Sequence, residues 1–149
     1  MAKFRFKLEA VLRHRTMIEQ QKQRALADLE TERLRLEAYI RRCQDGIEQE
    51  RSELRGLLSA ADLQGARWQA GASIRLVARA QRAAIELAGV HKRISAAREE
   101  LLAATRRRKA VDLLKERRRE EWVSEQSRRE MATVDELAVM AAGRKDIDL

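Results

Sequence analysis

Not one proline interrupts the 149 residues of this chain. Proline stops helices more reliably than any other residue, because it lacks the N–H and its ring collides with the preceding turn. Without it, a sequence dominated by Ala, Leu, Glu, Arg and Gln is free to build helices of unusual length. Charged residues make up 38% and aromatic residues 3%. Large apolar side chains are therefore too few for a thick globular core, but enough for a narrow seam between helices.

One region alone carries turn residues: ADLQGARWQAGAS, where Asp62, Gly65, Gly71 and Ser73 gather. The pattern predicts an all-α chain of two long helices forming one antiparallel coiled-coil hairpin, a single domain over 1–149. Helix one is expected over about 8–61, the turn over about 62–71 and helix two over about 72–142.

Heptad spacing supports the pairing. Helix one carries Leu29, Leu36, Ile40, Cys43, Ile47, Leu54 and Leu57 at steps of three, four or seven; helix two carries Leu76, Ala80, Leu87, Val90, Ile94, Ala97, Leu101 and Ala104 with the same rhythm. If the turn centres near Arg67, facing residue numbers add to about 134. Leu57 then meets Leu76, Leu54 meets Ala80, Ile47 meets Leu87, Cys43 meets Val90, Ile40 meets Ile94, Leu36 meets Ala97 and Leu29 meets Ala104. Apolar faces apolar throughout, often large against small.

Towards the termini this register turns polar: Lys22 falls opposite Val111, Ile18 opposite Lys115 and Arg15 opposite Arg118. Polar groups in a seam cost stability unless they snorkel or find partners. The end carrying both termini is therefore expected to be looser and more basic than the bend. Trp122 would sit opposite Val11 and Leu12 and close that end. Beyond it, REMATVDELAVMAA outruns helix one, with Val134, Leu137 and Ala141 along one stripe. Trp68 falls in the turn, where it either caps the coiled coil or stands exposed as a recognition aromatic.

The charge balance, +8 from 32 basic and 24 acidic residues, fits a nucleic acid, an acidic membrane face or an acidic protein partner, or simply a solvated face with a basic surplus. Cys43 is the only cysteine, which rules out an intrachain disulfide or a cysteine cluster and suits a small buried hydrophobe. His14 and His91 lie far apart in the register, and no phosphate loop or paired metal-ligand motif occurs. No catalytic residue, cofactor or metal is expected, and no apolar run reaches membrane-spanning length. MAKFRFK lacks a secretory apolar stretch, so a cytoplasmic chain is expected.

FRFKLEAVLRHRTMIEQQ, KAVDLLKERRREEW and VDELAVMAAGRK together resemble the flagellar protein-export family FliJ, over nearly the whole chain. The combination carries the likeness: an F-x-F-x-L-E-x-V-L-x-x-R start, a tryptophan in the turn, K-x-x-x-L-x-E-R-R in helix two and D-E-L-A near the end. The resemblance implies a soluble component of the flagellar type III export apparatus, similar in architecture to the central stalk of rotary ATP synthases. Its implied partners are the hexameric export ATPase, the cytoplasmic domain of the export-gate protein, and export chaperones that it escorts. It implies no cofactor, and membrane association at the cytoplasmic face only through the apparatus.

Carried onto this sequence, the ATPase-binding end comprises Phe4, Phe6, Leu8, Val11, Leu12 and Arg13 with Leu113, Leu114, Arg117, Arg118, Trp122, Val134 and Leu137. The gate contact falls on Arg51, Ile74, Ala78 and Gln81. Three alternatives stay open: a stalk or chaperone of a virulence-type secretion system, a nucleic-acid-binding coiled coil using the basic runs 106–109 and 115–119, and a structural homodimer. Against nucleic acid stand Glu116, Glu120 and Glu121 within those runs and the lack of stacking aromatics other than Trp122.

Overall fold

The computed structural model describes the backbone of residues 3–145 and the side chains of residues 3–140. Two helices account for most of it, α1 over Glu9–Ser59 and α2 over Leu63–Lys145. They pack against each other as an antiparallel hairpin, with no strand among the described residues. Ala141 of the expected apolar stripe lies outside the described side chains.

The bend is tighter than expected and lies earlier in the chain. Ala61 adopts φ 59°, the left-handed conformation. The N–H of Asp62 donates to the Leu57 carbonyl at 3.0 Å and that of Ala61 to the Leu58 carbonyl at 3.1 Å. These are the two bonds of a Schellman cap, here closed by alanine where glycine is usual. Asp62 then starts the next helix, its Oδ1 accepting the Gly65 N–H at 2.9 Å. A methyl on Gly65 would run into the Asp62 carboxylate, so this glycine serves the cap. The segment 63–71, expected as turn, is therefore the first part of α2. Gly71 and Ser73 are carried inside the helix because Ala66 is already buried in the seam.

The contacts divide the chain into two compact units, residues 20–103 and residues 1–19 with 104–149. Each contains a stretch of both helices.

In the bend unit, Cys43, Ala66, Ala83, Val90 and Ile94 are buried. On α2 these positions are seventeen, seven and four residues apart, separations that fit the alternating three- and four-residue steps of a coiled-coil seam. Lys22 pairs with Glu100 at 2.6 Å, Glu32 with Arg93 at 2.8 Å and Glu30 with Arg98 at 2.8 Å. The Gln69 amide donates to Glu50 and Glu53. Facing residue numbers thus add to about 123, and not to the expected 134. Ile40 stands across from Ala83 and no longer from Ile94, and Ile47 from Leu76 and no longer from Leu87. A Cβ added at Gly46 would meet Leu76 Cδ1 at 3.4 Å. The pairs Leu57–Leu76, Leu54–Ala80, Cys43–Val90 and Leu36–Ala97 are displaced in the same way. A slip of about eleven residues is three helical turns, so it carries seam positions onto seam positions. Periodicity therefore fits both alignments, and the cap at Ala61–Asp62 decides between them.

In the terminal unit the seam is mixed. Leu12 and Ala104 are buried beside a buried carboxylate, Glu19. The Thr105 hydroxyl donates to Glu19 Oε1 at 2.7 Å. Arg108 donates to Glu19 Oε2 and, at 2.6 Å, to Asp112 Oδ2. Lys115 pairs with Glu9 at 2.8 Å and does not face Ile18. Every buried side-chain nitrogen and oxygen among the described residues has a partner, so the polar seam is satisfied where it is closed.

Candidate partner-docking site

Lys3–Phe6 precede the first helix without regular structure, and the Phe6 carbonyl accepts the Glu9 N–H at 3.2 Å to start α1. Glu9 in the first turn suits the positive end of the helix dipole. This lead-in lays Phe4 against α2: its ring centroid lies 6.0 Å from that of Trp122, with the planes at 54°. The tilt is favourable for aromatic pairs, which avoid stacking face over face. Trp122 thus faces Phe4, and not Val11 and Leu12 as expected.

Around this pair lies an open groove of about 510 Å³, lined by Phe4, Phe6, Leu8, Leu114, Arg118 and Trp122 together with Arg5, Lys7, Glu121 and Glu125. The floor is apolar and the walls carry both signs of charge. Arg118 pairs with Glu121 at 3.1 Å across one helical turn, with both side chains largely exposed. Such a pair contributes little to folding and leaves the guanidinium free to change partners.

Six residues of the expected ATPase-binding set meet in this groove: Phe4, Phe6, Leu8, Leu114, Arg118 and Trp122. Leu12 does not join them, because it is buried in the seam. Val11, Arg13 and Arg117 are exposed outside the groove, and Leu113 is 57% exposed. Val134 and Leu137 lie on the stretch of α2 from Ser127 to Met140, every residue of which is exposed, with Met131, Val139 and Met140 also bare. Arg5, Lys7, Glu121 and Glu125 were absent from the expected set. The F-x-F alternation contains Arg5 and Lys7, and the spacing of Glu121 and Glu125 around Trp122 would have added the other two.

Of the expected gate-binding residues, Ile74 is 69% exposed and Ala78 is half-buried, while Gln81 and Arg51 are exposed. Ile74, Ala78 and Gln81 follow one another at four- and three-residue steps along α2, and exposed Ile85 extends the line. Arg51 lies on α1, 4.0 Å from Glu48. Trp68 is 74% exposed on α2 and does not cap the coiled coil.

Glu19 is the one buried charged side chain among the described residues. The Thr105 hydroxyl first, then the Arg108 guanidinium, hold it below the usual carboxylate range, against burial, which pushes the other way. Glu30 is lowered by Arg33 and then by Arg98. No group of three or more metal-ligating side chains occurs among the described residues. No helix among them is long and apolar enough to cross a membrane.

The arrangement is a helical hairpin whose terminal unit carries an open groove with an apolar floor. The family described as Flagellar FliJ protein matches residues 4–146, and the chain belongs to that family. It is thus a component of the flagellar type III export apparatus, in a family of structural export proteins. No curated protein and no solved structure matches the chain.

Proposed function

We propose that the chain serves the export apparatus as a stalk that engages the hexameric export ATPase through its terminal unit. One observation carries this reading: Phe4, Phe6, Leu8, Leu114, Arg118 and Trp122 converge on one open groove. Aromatic and arginine side chains dominate binding energy at protein interfaces. A folded protein leaves such a cluster open at a cost in unburied apolar surface. Arg117 and Arg118 add positive charge that steers an acidic or polar ring surface into register.

The line of Ile74, Ala78 and Gln81, with Arg51, is the proposed contact for the cytoplasmic domain of the export gate. Escort of export chaperones and a station at the cytoplasmic face of the inner membrane belong to the same reading. The experiment is a pull-down with the cognate ATPase across a salt titration, with ATP hydrolysis measured in parallel. Binding that weakens with salt, and hydrolysis raised at least about twofold by the chain, support the proposal. Salt-independent binding through another surface, or no binding, contradicts it.

A further inference from the structure

The face of α2 opposite the terminal seam carries a second feature. Arg106, Lys109, Ala110, Leu113 and Arg117 recur at helical spacing on one side, all exposed. Seam positions Ala104, Arg108, Val111 and Lys115 lie on the other. Between Ala104 and Arg119 stand eight basic residues against two acids. The ion pairs of this stretch are made by Arg108, Lys115 and Arg118. Arg106, Arg107, Lys109, Arg117 and Arg119 make none among the described residues. Leu113, 57% exposed, stands in the line of cations. The character ends abruptly: from Glu120 to Met140 six acids outnumber two arginines.

We propose that this face is a binding surface for an anionic phospholipid bilayer. A straight helix face matches a flat charged plane, and basic side chains flanking an exposed leucine are the makings of an interfacial helix. Arg106 and Arg117 are about 16 Å apart along the axis and contact such a plane together. Each adds about fivefold to partitioning near an anionic surface, an effect that salt removes. A nucleic acid fits less well: no aromatic lies on this face for bases to stack on, and Leu113 has nothing to contact on a phosphate backbone. The acidic stretch beyond Glu120 is repelled by the same lipid surface, which confines contact to the basic stretch. Leu113 and Arg117 adjoin the groove residues Leu114 and Arg118 and also belong to the expected ATPase-binding set, but vesicle binding is read in the absence of the ATPase, so the two readings fail separately.

The test is co-sedimentation of the full chain with vesicles of phosphatidylcholine, with and without about 30% phosphatidylglycerol. The expected result is binding at least tenfold stronger to the anionic vesicles, lost at high salt. Arg106→Glu with Lys109→Glu and Arg117→Glu is expected to remove it. Single reversals should cost at least about fivefold each, which keeps the test independent of the triple variant's folding. Equal binding to both vesicles, none to either, or full binding by the single variants would overturn the proposal. So would displacement from vesicles by single-stranded RNA at equal phosphate concentration, which would assign the face to nucleic acid.

Discussion

Glu19 of α1 is closed into the seam against the guanidinium of Arg108 on α2, with the Thr105 hydroxyl completing its shell. An ion pair in this position stabilises little in net terms, but breaking it leaves a partly buried cation without its anion. Glu19→Gln is therefore expected to cost about 1–3 kcal/mol, read as a lower thermal midpoint. Asp112 retains half of the Arg108 shell and keeps the loss from being larger.

The same pair makes stability depend on acid. The folded-state pKa of Glu19 lies below its unfolded value, so its contribution is fully present above the unfolded pKa of about 4.3. It is lost as pH falls through the lower folded value. The gap between wild type and Glu19→Gln, followed by circular dichroism, should be constant near neutrality and close at low pH. A gap that widens on acidification contradicts the assignment.

The bend makes a prediction of opposite sign at two adjacent residues. Ala61 is left-handed, which costs an alanine about 1 kcal/mol relative to glycine. Ala61→Gly should raise stability by about 0.5–1 kcal/mol. Asp62→Ala removes the acceptor of the Gly65 N–H and should lower it by about 1 kcal/mol. Urea denaturation distinguishes the two.

Register is open to direct chemistry. In a Cys43→Ser background, cysteines at 40 and 83 should oxidise to a disulfide readily. Those at 40 and 94 should not, since they stand eleven residues out of step. Preferential bridging of the second pair would falsify the register set by the Lys22–Glu100 and Glu32–Arg93 pairs.

The helices were legible because proline is missing and because Cys43, Val90 and Ile94 fall on a strict three-four rhythm. The register was not, since a slip of three helical turns preserves that rhythm. What fixes it is a cap that puts alanine in a glycine's place, and nothing in the residue type of Ala61 announces it. Gly65 and Gly71 drew the turn too late: one serves the cap and the other is carried within a packed helix. At the site, the aromatic lead-in and Trp122 were visible as separate features. Their meeting depended on the register, and so did the loss of Leu12 to the seam.

The central claim is that the groove around Phe4 and Trp122 holds the export ATPase. Its most direct test is the affinity of the purified chain for that ATPase, measured by calorimetry for wild type, Trp122→Ala and Arg35→Glu, with helicity checked for each. Loss of the indole from the groove is expected to weaken binding at least about tenfold, while Arg35→Glu, exposed on α1 in the other unit, leaves it unchanged. Equal affinity for wild type and a fully helical Trp122→Ala would contradict the account.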